Sequence, residues 1–164
     1  MKKYFPIVVI IIILTACNSN TQNKQYKEDS EKLQNLIEQL DTTNINGVPL
    51  GINFEEKFID NRLNLIYLLD ARCSACIGDF LHFQNIVQHL DKKYHIYGIC
   101  NKSYEEIISY YIEVNNVEND NVQSTLLFTT EEYPYSQNPR FNILVVYNKK
   151  VVFRLLYASG RIFI

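Results

Sequence analysis

The sequence predicts an α/β domain in which a central mixed sheet is flanked by helices. Three observations carry that prediction. Leu63–Leu69 is an apolar run broken only by Asn64, which suits a strand buried on both faces. Cys76, Phe80, Phe83, Val87 and Leu90 follow at spacings of four, three, four and three, the mark of one helical face. Tyr94–Cys100 is a second apolar segment, so strand, helix and strand succeed one another as in a parallel pair with a crossover.

Taken in order, the chain opens on a targeting segment, residues 1–16. Lys2 and Lys3 precede an apolar stretch from Phe5 to Leu14, which is in the signal-peptide range and too short to span a bilayer. It ends in Leu14-Thr15-Ala16-Cys17, which resembles the lipobox of bacterial lipoproteins. The resemblance implies that Cys17 is lipidated and becomes the first residue of the mature chain, held to a membrane with its domain facing the periplasm. The bland alternatives are an ordinary signal peptide with a chance cysteine, or an uncleaved anchor. Without Met1–Ala16, which holds two lysines and no acid, 14 cations face 18 anions, and that balance excludes a nucleic-acid-binding surface as the expected function.

Residues 17–28 are polar and rich in Asn, Gln and Lys, and are expected to form a flexible tether. Residues 29–53 hold a helix and a loop. Leu33, Leu36, Ile37 and Leu40 make the helical stripe, Asp29 or Ser30 is the expected cap, and Gly47, Pro49 and Gly51 mark the loop, with a short strand in it. The main domain is assigned to 54–164. After Cys100, Ser103 and Glu106 form a capping-box pattern ahead of a helix through Ile107, Ile108, Tyr111 and Ile112. Val122–Thr129 reads as a strand. Phe141–Tyr147 and Val151–Tyr157, joined by Asn148-Lys149-Lys150, read as a hairpin.

The chemistry concentrates at Cys73-Ser74-Ala75-Cys76, between the buried strand and the amphipathic helix. The first helical turn presents unpaired N–H groups and the positive end of the macrodipole. A thiolate at Cys73 is stabilised there and becomes a nucleophile near neutral pH. Cys76, one turn deeper, is placed to attack a mixed disulfide on Cys73 and release the partner. Arg72 puts a positive charge beside Cys73, with the same expected effect.

This segment, with the strand before and the helix after it, resembles the active-site region of the thioredoxin superfamily, in particular the envelope-anchored TlpA/ResA-type thiol-disulfide oxidoreductases. The resemblance covers roughly Phe54 to Phe153. It implies a thioredoxin-like fold, redox use of Cys73 and Cys76, protein thiols or disulfides as partners, and no cofactor or metal. The pattern departs at several points. Arg72 replaces the usual aromatic before the first cysteine, Ser74-Ala75 replaces Gly-Pro, and Tyr67 stands where the family's buried acid lies. The family's cis-proline would fall near Phe141 or Asn142, whereas the nearest proline is Pro139, so Pro139 is an auxiliary candidate. The chain reaches Ile164 directly after the hairpin, so the usual C-terminal helix is expected to be missing and the Leu33–Leu40 helix to cover one sheet face.

Asp70 has two readings, a proton relay for Cys76 or a solvated carboxylate. Cys100 is either a buried strand residue or a third thiol near the site. The expected function is membrane-tethered thiol–disulfide exchange. Two alternatives stand beside it. One is a non-catalytic binding module with a structural Cys73–Cys76 disulfide. The other is a copper-handling protein in which His82 and His89 join Cys76.

Overall fold

A computed structural model describes residues 24–40, 47–51, 58, 61–90, 94–114, 126–130, 141–159 and 161–163. Cys17, Pro139 and the segment expected to be the signal peptide lie outside them. The architecture is α/β, a mixed sheet flanked by helices. Its elements are α1 (24–38), β1 (Val48–Pro49), β2 (Asn64–Leu68), α2 (Ser74–Gln88), β3 (His95–Asn101), α3 (Glu105–Val114), β4 (Leu126–Thr129), β5 (Ile143–Tyr147), β6 (Lys150–Ala158) and β7 (Arg161–Phe163).

The strand order is β1-β6-β5-β2-β3-β4, with β7 paired to β6. β2 runs parallel to β3 and antiparallel to β5, and β3 runs parallel to β4. Every residue of β2 is buried, Asn64 included, as its otherwise apolar composition requires. Its alternation divides two cores. Leu65, Tyr67 and Leu69 join Ile77, Phe80 and Phe83 of α2 and Ile108 and Ile112 of α3. Ile66 and Leu68 join Ile99, Leu127, Leu144 and Val146 on the other side, where Leu50 and Phe58 complete the cluster. The face that α1 covers is the one that also carries α2: Leu33 and Ile37 enter the same core as Phe80 and Phe83.

The helix at the N-terminal end is longer than its apolar stripe suggests. Residues 24–28, expected in the tether, are helical, so Asp29 and Ser30 are interior positions rather than caps. Both are 2% exposed, and each is satisfied within the helix: Ser30 Oγ donates to the Lys27 carbonyl, while Asp29 accepts from Gln25 and Lys32. Tyr26 extends the buried stripe by two turns and packs its ring 4.6 Å from that of His82. The second cap also moves. A short 3₁₀ turn, Lys102–Tyr104, precedes α3, and its cap is Asn101, whose side chain accepts from the Ser103 N–H at 2.9 Å. Asn101 ends β3 in extended conformation and supplies a carboxamide oxygen, so the Ser103 hydroxyl donates to it instead of capping.

The β5–β6 hairpin turns through Asn148 and Lys149, with φ of 48° and 61°. Two positive φ values in a two-residue loop suit the right-handed twist of the strands. Beyond it, β7 pairs with β6 from Leu156 to Ala158, a strand that the apolar pattern did not announce.

Candidate functional site

The sheet places the two cysteines at the carboxyl end of its central parallel strands. β2 ends at Leu68, the chain turns at Ala71 and Arg72, and Cys73 caps α2 with an extended backbone. The Cys76 N–H donates to the Cys73 carbonyl at 3.0 Å and to Cys73 Sγ at 3.3 Å. The first cysteine sulfur therefore occupies the position of a side-chain N-cap, where the orphan N–H groups of the helix point. Both cysteines are partly exposed free thiols.

Their environments differ. The Cys76 thiol donates to Cys73, and the N–H groups of Cys76 and Ala75 point at the same sulfur; together they lower the Cys73 pKa. Cys76 moves the other way, up to about 12, because burial, the Cys73 sulfur and the carboxylates Asp70 and Asp79 all disfavour its thiolate. One sulfur is set to ionise and the other to hold its proton.

The role expected of Arg72 is corrected by the geometry. Its guanidinium is held bidentately by Asp70, with Nε to Oδ1 at 2.8 Å and Nη2 to Oδ2 at 2.6 Å. Asp70 also accepts the Arg72 N–H at 3.1 Å. The pair neutralises itself, and hydrogen bonding around Cys73, not Arg72, depresses the thiol pKa. Asp70, one reading of which is a proton relay, has both oxygens engaged, and the Arg72 hydrogen bonds push its pKa down. It remains an anion that is a poor proton acceptor.

Tyr67, which stands where the thioredoxin resemblance would put an acid, is 1% exposed. Its ring packs 5.2 Å from that of Phe80 and 5.6 Å from that of Phe83. Burial, and then the charge of Asp79, raise its pKa far above the ordinary phenol range, so it stays neutral. Its hydroxyl accepts from Asn142 Nδ2 at 3.1 Å.

Asn142 is the residue next to which the hairpin register placed a cis-proline. No cis peptide occurs among the described residues. Instead Asn142 ties the strands together. Its N–H donates to the Leu155 carbonyl and its carbonyl accepts from Leu68. Its carboxamide donates to the Tyr157 carbonyl and accepts the Tyr157 N–H, both at 2.7 Å, continuing the β5–β6 ladder with a side chain. Asn142 therefore has no backbone group left to pair with a substrate strand.

Cys100 is fully buried, and burial raises its pKa to about 11. It is a strand residue in the helix-side core. The copper alternative finds no support in the geometry. His82 Nδ1 is hydrogen-bonded to the Tyr157 hydroxyl, and His89 Nδ1 to the Asn85 carbonyl. Among the described residues no three His, Cys, Asp or Glu side chains gather to hold a metal.

Asp79 is a site residue that the sequence reading missed. It lies one turn beyond Cys76, and its Oδ2 accepts the Ser159 N–H at 3.3 Å. Its charge acts on Cys76, Tyr67, Tyr157 and His82. Its i+3 spacing from Cys76 was the available signal.

No protein-family model, curated protein or solved structure matches this chain. No helix among the described residues is long and apolar enough to cross a membrane.

Proposed function

We propose that this chain is a membrane-tethered thiol–disulfide exchange protein with a thioredoxin-like fold, in which Cys73 attacks and Cys76 resolves. One observation carries the reading: Cys73 caps α2, with its sulfur accepting the Cys76 N–H at 3.3 Å. That arrangement favours the thiolate at the first cysteine alone. The topology supports the fold assignment, since the strand ahead of the cysteines lies between a parallel neighbour and an antiparallel hairpin. The lipid anchor at Cys17, with the domain facing the periplasm, rests on the Leu14–Cys17 pattern.

Insulin reduction driven by dithiothreitol tests the reading. Wild-type protein is expected to accelerate it, and Cys73→Ala and Cys76→Ala are not. Cys76→Ala should retain a covalent partner on Cys73, because nothing resolves the adduct, while the double variant should retain none. The intact mass of the mature chain is expected to show acyl groups on Cys17. A wild type without reductase activity, together with a Cys76→Ala variant that holds no partner, replaces this reading with that of a structural disulfide.

A further inference from the structure

We propose that α3 carries the docking surface for this protein's exchange partners, and that those partners present apolar side chains and cations beside the reacting cysteine. The inference rests on the thiol–disulfide reading above and names the chemistry of the partner. Five large apolar side chains of the described residues are exposed, and three of them lie on α3: Ile107 at 51%, Tyr110 at 67% and Val114 at 57%. Their spacings of three and four put them on one stripe about 10 Å long, turned away from Ile108 and Ile112, which enter the core. Single exposed apolar residues are ordinary on a protein surface, whereas a stripe along two helical turns marks an interaction surface.

The fold sets this stripe beside the cysteines. β2 and β3 run parallel and pair from Asn64 with His95 to Leu68 with Ile99, and the Leu69 N–H donates to the Ile99 carbonyl at 2.9 Å. Their carboxyl ends therefore lie side by side. One leads to Cys73, and the other leads through Lys102–Tyr104 into α3. Farther along the two helices, the Tyr111 hydroxyl lies 4.0 Å from the place a Cβ on Gly78 would take, two residues beyond Cys76. Tyr111 follows Ile107 by one turn, so it forms the border of the stripe on the side of α2.

Charge narrows the choice of partner. α3 holds Glu105, Glu106 and Glu113 and no Lys or Arg. Among the described residues no cation pairs with any of the three. Glu106 and Glu113 border the stripe on the side away from Tyr111, as the 3.6-residue period requires. Arg72, the cation beside the cysteines, is already held by Asp70. An anionic membrane surface is repelled by such a rim, and an antiparallel pairing of two copies brings Glu106 of one near Glu113 of the other. A partner segment with apolar side chains and Lys or Arg satisfies both the stripe and its rim.

Three chromogenic disulfides test the surface against reduced full-length protein in nanodiscs of neutral phospholipid. One is an apolar, Lys-containing cysteine peptide carrying a thiopyridyl group on its sulfur. The second is the same peptide with every Lys replaced by Glu, and the third is neutral dithiodipyridine, too small to reach along the stripe. As the Cys73 thiolate attacks, its sulfur bonds to the peptide sulfur, the bond to the thiopyridyl sulfur breaks, and pyridinethione leaves with the electron pair and takes a proton from water. Each peptide's rate is read relative to dithiodipyridine on the same variant. The Lys peptide is expected to react about tenfold faster than the Glu peptide at low salt, and added salt should shrink the difference. Ile107→Ser with Tyr110→Ser should lower the relative rate of the Lys peptide about tenfold. Glu106→Lys with Glu113→Lys should erase the preference for the Lys peptide. All four side chains are exposed, so the substitutions leave the core intact. Relative rates unchanged in both variants overturn the docking surface. A wild-type dimer that the variants convert to monomers overturns it too, by giving the stripe to a second copy. A wild type that reacts with dithiodipyridine no faster than Cys73→Ala overturns the exchange reading itself, and the proposal with it.

Discussion

Gly98→Ala should destabilise the domain by about 1–3 kcal/mol, and Gly98→Val by more, measured as denaturant or thermal unfolding. Gly98 lies in β3 between Tyr67 of β2 and Leu126 of β4. A Cβ there would come within 2.6 Å of Phe80 Cζ and 2.8 Å of Leu126 Cδ2, closer than non-bonded carbons approach. Phe80 is 1% exposed and wedged against Tyr67, so its ring has no room to retreat. The glycine is what lets α2 lie close on the sheet. Because Phe80 is one turn beyond Cys76, pushing the helix outward also displaces the cysteines. Phe80→Leu placed on the Gly98→Ala background should recover part of the loss by vacating the volume the methyl takes. An unfolding midpoint unaltered by Gly98→Val would refute the packing account.

Asn142→Ala should cost about 2–4 kcal/mol, although it removes a polar side chain rather than an apolar one. The carboxamide serves both backbone groups of Tyr157 and the hydroxyl of Tyr67. Tyr157 and Tyr67 are each 1% exposed, so water does not replace what is lost. Buried backbone groups left unpaired cost more than the net worth of the bonds they made. Since the same side chain aligns β5 with β6 beside the cysteines, the variant should also slow exchange. Urea unfolding checks the stability term, and a change below about 0.5 kcal/mol would contradict the bridging role.

The parts legible in the sequence were those where one local rule decides. The apolar run before the cysteines, broken only by Asn64, identified β2, because a short strand buried on both faces lacks alternation. The periodicity from Cys76 to Leu90 identified α2, and the positions flanking Asn148 identified the β5–β6 hairpin. The place of Cys73 at the start of α2 followed from where those two elements meet, and the fold makes it the N-cap rather than a first-turn residue. What was not legible depends on contacts between distant segments. The α1 helix starts ahead of its apolar stripe because Tyr26 packs on His82, a contact invisible in a polar, Lys- and Gln-rich stretch. The charge on Arg72 read as help for Cys73, but Asp70, two residues earlier, claims it. A surface pair of this kind adds little stability, yet it decides which groups remain available at the site. Asn142 looked like a gap in a proline pattern, and in the fold it is a bridge. Asp79 carried no signal of its own, and its tie to the Ser159 N–H joins residues eighty apart in the chain.

The opposed thiols of one helix end are the centre of this account, and site-resolved alkylation of the reduced protein from about pH 5 to about pH 10 tests them most directly. Iodoacetamide modification is followed at Cys73 and Cys76 separately by peptide mass spectrometry. A thiol alkylates in proportion to its thiolate fraction, so a lowered pKa brings the plateau to lower pH and a raised one removes it upward. Cys73 should therefore react faster throughout and level off at lower pH than an ordinary cysteine. Cys76 should react slowly at neutral pH and climb about tenfold per pH unit toward its pKa of about 12. Equal rates at the two sulfurs, or a faster Cys76, would contradict the assignment of attack to Cys73 and resolution to Cys76.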